Sequence, residues 1–436
     1  MLTVLGRLLA TCVAVLVLSI EGPAQTGPRV LVAKSTSPAA TFHARPANGT
    51  KYKSLLNESD LYATDMLVAL PGATLVSRNG SITLRSSADF DAKSPLPVLD
   101  TAFTLAEPKN VDLELTLDRG RIEITNSKAA GAASVRVRFW NQLWTIVLEA
   151  PDSRVALELC GRWPPGKRFK LIDPKADPEL VPAPLASLVF LVLNGSVTVE
   201  CGGVTVAMKA PPGPAELRWD SLMGVRPQPQ KLDKLPDWAI LDTTSPEARK
   251  FHDLVEEFRQ ASAKDTLQAV NSFLDSGDPH QQRFALVTLG ALDELELLGK
   301  SLVAAKTLEE WDFGITVLRH WIGRARGQDQ KFFQTLTQVR GYTEVQAKII
   351  LQLLFGFSSD DLAQPETYEV LIDYLVHEKP AIRNLAAWHL IRLVPEGKSI
   401  PFKPNGTQAD AAQAHAMWKK LVPSGQLPPS AKKVKE

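Results

Sequence analysis

Side chains able to do chemistry are scattered along this chain of 436 residues, which holds seven histidines. A zinc-hydrolase helix needs His-Glu-x-x-His, two imidazoles on one helix face with a glutamate as general base. His280, His377 and His389 show neither that spacing nor His-x-x-x-His, so capping, surface or core placement accounts for them. The carboxylate pairs Glu256-Glu257, Glu309-Glu310 and Asp360-Asp361 are adjacent in sequence; on a helix or in a cap such groups are solvated. A hydrolytic serine needs a histidine and an acid, and neither Ser262 nor Ser301 has evident partners. Glycine-framed motifs are missing too: there is no Gly-x-Ser-x-Gly, P-loop or Gly-x-Gly-x-x-Gly context. The expectation is no catalytic residue, no cofactor and no metal site.

Aromatic and thiol groups leave more open. Trp140 and Trp144, four apart around Asn141-Gln142, could form a carbohydrate platform, but core or hairpin packing is the stronger reading. Trp311, Trp321, Trp388 and Trp418 recur at helical positions and read as core or inter-repeat contacts. Cys160 and Cys201 could pair in an oxidising compartment. Strand parity opposes this, because Cys160 points with Glu158 whereas Cys201 falls on an apolar face; a bulge would be needed to bring them together.

The elements that would position these groups change character at about residue 240. Before it, apolar residues alternate with polar ones, as in strands; after it they recur every three or four positions, as in helices. The candidate strands include Ser81 to Arg85, Val111 to Leu117, Arg121 to Thr125, Ser134 to Phe139, Trp144 to Glu149 and Val155 to Leu159. Their one-sided alternation predicts antiparallel sheets with one buried face. Leu188 to Leu193 is apolar throughout, as a strand buried on both faces would be, and Asn194-Gly195 after it predicts a hairpin to Ser196–Glu200. Gly202-Gly203 repeats the device before Val204. Short strands at regular spacing predict a β-sandwich or jelly-roll-like domain.

Leu61-Tyr62-Ala63-Thr64-Asp65-Met66-Leu67, then Pro71-Gly72-Ala73, then Ser77-Arg78-Asn79-Gly80-Ser81-Ile82, resembles the core of the FecR-type domain. Leu117-Asp118-Arg119-Gly120-Arg121-Ile122 resembles that family's later Leu-x-x-Gly-Arg-[VI] element. Thr64 stands where the family usually has Gly, and Asn79 where it usually has Asp. The resemblance covers roughly 58–125, with a compatible pattern to about 220, and implies an extracytoplasmic β fold. In iron-responsive relatives it implies signal transduction across the membrane, which needs a membrane anchor.

Pro211-Pro212-Gly213-Pro214 is expected to end the strands, and Pro227-Gln228-Pro229-Gln230 reads as a stiff linker. Leu235 to Trp238 is expected to pack at the domain junction. Thr244-Ser245-Pro246-Glu247 is a helix start. Pro279, Ala285 and Leu289 align with Pro380, Ala386 and Leu390, and these segments, with Arg383, resemble the second helix of HEAT-type repeats. The resemblance implies three to five helical pairs with an open face for a protein partner.

Arg7, the apolar run Leu8 to Ile20 and the small residues before Gln25 read as a secretory signal cleaved between Ala24 and Gln25. The run is roughly 13 residues, short of the ~20 that span a bilayer. The formal net charge is +1, which gives no reason to expect nucleic acid as a partner. The expected organisation is multidomain, β then α: a signal peptide (1–24), a loose segment (25–57), an antiparallel FecR-like β domain (58–222), a Pro-rich linker (223–245), a HEAT-like α-solenoid (246–422) and a basic disordered tail (423–436). The expected function is a non-enzymatic, exported, periplasmic or extracellular binding or scaffold protein. Its helical repeats would contact a protein partner, and its β domain an envelope glycan or small ligand. One alternative is a membrane-anchored sensor, which requires an uncleaved N-terminal segment. Another is an unrecognised hydrolase of glycans, which requires facing carboxylates ~5–9.5 Å apart. N-terminal sequencing of the exported protein is expected to give Gln25 as the first residue; a retained Met1 would favour the anchored version.

Overall fold

The computed structural model describes residues 29–87, 98–173, 175, 177, 181–222, 227–240, 245–305, 308–403 and 406–429. The first half is all strand and the second all helix. Two sheets share one long strand, β9 (Leu113–Asn126). Sheet A runs β4 (Asp60–Tyr62), β1 (Leu31–Ser35), β6 (Thr74–Ser77), β7 (Ile82–Ser87), β9, β12 (Arg154–Arg162), β13 (Leu185–Asn194), β16 (Gly213–Asp220) and β17 (Gln230–Leu232). Sheet B runs β3 (Lys53–Ser54), β2 (Phe42–Arg45), β5 (Met66–Ala69), β8 (Thr101–Ala106), β9, β10 (Ala133–Phe139), β11 (Gln142–Leu148), β14 (Ser196–Cys201) and β15 (Val204–Lys209). Inward side chains of both sheets form one core, in which Phe139 and Trp144 of sheet B meet Trp219 and Phe190 of sheet A edge to face.

The shared strand explains several departures from the sequence reading. Arg119-Gly120 does not break β9 into two strands. Residues before Gly120 pair with β8 and β10 in sheet B, and residues from Gly120 onward pair with β7 and β12 in sheet A. Gly120 has φ +96°, and a Cβ there would lie 2.4 Å from the Asp100 carbonyl oxygen. Only glycine makes this corner without strain. The second half of β9 leaves sheet B, so the chain re-enters beside the first half and β10 runs parallel to β9, against the expected antiparallel order. Asn194-Gly195 is likewise a corner, not a hairpin: β13 lies in sheet A and β14 in sheet B. The Gly202-Gly203 turn is a true hairpin, pairing Cys201 with Val204.

Strands also begin before the expected boundary. Residues 25–57, read as loose, contain β1, which pairs with β4 and β6, β2, which pairs with β5, and β3, which pairs with β2. The Pro-rich stretch does not end the sheet either, since β16 starts at Gly213 and β17 lies within the expected linker. Leu235, Trp238 and Ala239 cover Ala156, Val189, Leu191 and Leu193 on the outer face of sheet A. β13 is therefore buried on both faces, as its unbroken apolar run requires.

Helices α1 (Pro246–Ser262), α2 (Thr266–Asp275) and α3 (Pro279–Ala291) follow, capped by Ser245, Asp265 and Asp278. Then come α4 (Leu295–Ala304), α5 (Leu308–Gly323), α6 (Gln328–Gln334), a π-helical turn (Thr335–Val339) and α7 (Glu344–Phe355). The last are α8 (Ser359–Leu362), α9 (Pro365–Tyr374), α10 (Pro380–Leu393) and α11 (Gln408–Leu421). α2 packs on α3, α3 on α5, α9 on α10 and α10 on α7. Ala285, Leu289, Ala386 and Leu390 are fully buried at matching places in α3 and α10. Among the described residues no helix is long and apolar enough to cross a membrane.

Gly120→Ala should destabilise the protein by at least about 3 kcal/mol, because it adds a clash to the left-handed strain. Gly203→Ala, at φ +75° with open space around it, should cost only about 1 kcal/mol. Urea unfolding of the two variants checks the contrast.

Candidate functional site

Ionisable groups converge where the sheets meet the helices. The β9 corner presents Arg119 and Arg121 on either side of Gly120. Arg119, 2% exposed, donates from Nε to Asp100 Oδ2 at 2.7 Å, from Nη1 to Asp118 Oδ2 at 2.6 Å and from Nη2 to the Ala291 carbonyl at 3.2 Å. The other Asp100 oxygen meets His320 Nε2 of α5 at 2.9 Å. A carboxylate only accepts, so Nε2 carries the proton in this contact. Beside it, Asp293 accepts from Arg324, from Trp321 Nε1 at 3.0 Å and from Arg45 Nη1 of β2 at 2.8 Å. Arg45 also lies over the Tyr52 ring at 4.7 Å.

Burial alone would raise the Asp100 carboxyl. The Arg119 charge and the hydrogen bonds from His320 and Arg119 outweigh it and hold the group well below the usual carboxylate range. Asp293 is lowered the same way, against burial, chiefly by Arg324. On the neighbouring face, Arg121 spans the fully buried Glu158 at 3.2 Å and the Trp238 ring at 4.5 Å. Trp163, at the end of β12, donates to the Ile322 carbonyl of α5 at 3.2 Å, and its ring lies 5.2 Å from that of Phe355.

A second cluster corrects the reading of Ser262. Its Oγ lies 3.4 Å from His43 Nε2, and Thr266 Oγ1 lies 3.2 Å from the same nitrogen. A serine–histidine pair is therefore present, although 219 residues separate the two in the chain. It lacks the orienting acid: His43 Nδ1 is buried with no partner among the described residues. His43 and Ser262 are each 1% exposed. The adjoining cavity, walled by Leu70, Leu99, Phe284 and Val287, has a volume of about 20 Å³, the size of a single water. The pair is a contact between β2 and the α1–α2 turn, with no room for a substrate. Ser301 Oγ bonds its own helix at the Leu297 carbonyl.

The remaining expected groups disperse. Ala24 and Gln25 lie outside the described residues. No disulfide joins Cys160 and Cys201: Cys160 shares the outer face of β12 with Glu158, whereas Cys201 lies in the core between the sheets. Burial, then Glu158, pushes the Cys160 thiol up to about 12. Trp144 is fully buried against Phe139 and Phe190, so Trp140 and Trp144 make no sugar platform. Trp311, Trp321, Trp388 and Trp418 are all buried in the helical core. Glu256 binds Arg259, Glu257 binds Gln281 and Asp361 caps α8. Among the described residues no three His, Cys, Asp or Glu side chains are placed to hold a metal ion. Sequence reasoning missed Asp100, Arg119, Asp293, His320, Arg324 and His43; the one available signal was a pair of arginines around a glycine inside an otherwise alternating strand.

Neither a family model, a curated protein nor a solved structure matches this chain.

His43 and His389 are held at about 4, chiefly by burial. Both lie below the unfolded histidine value of roughly 6.5. Their contribution to stability is therefore intact above pH 6.5 and lost as the pH falls toward 4, roughly 3 kcal/mol for each. Urea titrations between pH 7.5 and pH 4 should show this decline, and His43→Gln should remove about half of its slope.

Proposed function

We propose that this chain is a non-enzymatic exported binding or scaffold protein. In this reading a FecR-like sandwich recognises an envelope component, and HEAT-like helical hairpins engage a protein partner. One observation carries the proposal: the ionisable groups that converge where sheets meet helices are paired with one another and spent on joining the two halves. The Asp100–Arg119–His320 and Asp293–Arg324–Arg45 clusters are such groups, and the cavity beside them admits only a water-sized molecule. Recognition is then left to open surfaces, namely the outer face of β10, β11, β14 and β15 and the helical flank.

Backbone geometry supports the FecR-like reading of the β half. The positions at which that pattern carries glycine are left-handed here: Gly72 at φ +84°, Gly80 at +74° and Gly120 at +96°. Thr64, standing where the family usually has Gly, has φ +72°, a conformation that a β-branched residue rarely adopts.

Photo-crosslinking residues placed in the full chain at Leu143 (43% exposed) and Val370 (46% exposed) test the proposal in envelope preparations. A discrete product from each position is expected. Absence of products from both, or turnover of envelope glycans by the purified chain, would refute it.

A further inference from the structure

Arg319 occupies the C-terminal part of α5, where that helix meets α10. Its guanidinium stands 5.6 Å from the centre of the Trp388 ring, and Arg392 stands 4.8 Å from the same indole. Among the described residues no carboxylate pairs with Arg319 and no hydrogen bond satisfies its guanidinium. The nearest acid on its own helix, Asp312, is two turns away, roughly 10 Å along the axis. Asp312 is already committed, accepting from Trp388 Nε1 at 2.6 Å and from Arg392 Nη1 at 2.6 Å.

Arg319 is half-buried, and the arginines buried more deeply than it are answered. Arg119 has Asp100, Arg121 has Glu158, Arg324 has Asp293, and Arg383 donates to the carbonyls of His377, Glu378 and Gly406. Arg319 instead has another cation as its charged neighbour. Burial, then the Arg392 charge, pushes it below the ordinary arginine range. A guanidinium keeps its proton throughout the accessible pH range, so partial burial beside a second cation leaves a free-energy cost that a counter-charge relieves.

We propose that Arg319 and Arg392, aligned on the Trp388 indole, form a binding site for an oxyanion of the carboxylate or phosphate class. The Arg319 fork offers parallel N–H donors that match either anion. The face of the indole attracts both guanidinium groups. Arg392, half exposed and anchored through one nitrogen to Asp312, keeps its other donors for a ligand. Arg319, Arg392 and Asp312 together carry a net charge of +1, so one anion neutralises the site. The inference is independent of what the β half binds.

Thermal unfolding of the full chain tests it, with inorganic phosphate or a hexaglutamate peptide compared against sodium chloride at equal ionic strength. Phosphate, the peptide or both should raise the melting temperature above the chloride value in a saturable way. Arg319→Met should abolish that rise while leaving the chloride value unchanged or higher, because it removes an uncompensated charge. Arg392→Gln, at a half-exposed position, should weaken the apparent affinity about tenfold and decides the matter if Arg319→Met does not fold. A response to phosphate alone identifies a small anion, and a response to the peptide alone identifies a carboxylate borne by a partner. Equal melting temperatures in all three solutes would overturn the proposal. So would a rise that survives Arg319→Met, or an affinity unchanged in Arg392→Gln.

Discussion

The joined architecture depends on the Asp100 carboxylate. One of its oxygens holds Arg119 at the corner of β9, and the other holds His320 on α5. Arg119 then reaches the C-terminal end of α3 through the Ala291 carbonyl. A single buried anion thus fixes a strand corner and two helices. Burying it is costly unless every lone-pair direction is answered, and here the answering groups come from both halves. Hydrophobic packing across the seam is extensive, since Leu70, Leu99 and Trp163 belong to the helical core. Packing alone, however, is non-directional. The charged groups and the backbone carbonyls they reach set the angle at which sheet and helices meet.

The same seam explains why sheet A has no wet face along β12 and β13. Ala156, Glu158 and Cys160 would be the solvent side of β12 in a free-standing sandwich, yet all three are buried. Arg121 covers Glu158, residues 235–239 cover Ala156, and α5 packs on the strand. At Gly161 the backbones nearly touch: a Cβ there would lie 2.4 Å from the Gly323 carbonyl oxygen. The segment expected to link two separate domains is therefore part of the lid over sheet A.

What the sequence disclosed followed from short-range periodicity. The change from period two to period 3.6 near Trp238 is real in the fold, and the caps at Ser245 and Asp278 fall where the residue types put them. What it hid depended on partners far along the chain. Asn194-Gly195 has the local chemistry of a hairpin, and nothing local tells that β14 will pair with β11 instead of β13. β1, β2 and β3 have at most five residues each, too few for alternation to stand out. Arg119-Gly120 read as a break between two strands, and the counter-ions of Arg119 and Arg121 are Asp100 and Glu158, which no spacing rule connects to them. The His43–Ser262 contact is hidden for the same reason.

A rigid seam changes what the outer surfaces can do. If the halves moved freely, a partner touching both would have to restrain that motion on binding, at a cost of several kcal/mol. Here the restraint is built in by Asp100, the Arg45–Asp293 pair and the Gly161–Gly323 approach, before any partner arrives. The open face of sheet B and the α5–α10 contact around Arg319 therefore keep a fixed spacing and orientation. α5 ties them together, since it carries His320 toward the sheets and Arg319 toward α10 from adjacent positions. One turn of α5 thus faces both the sheets and α10.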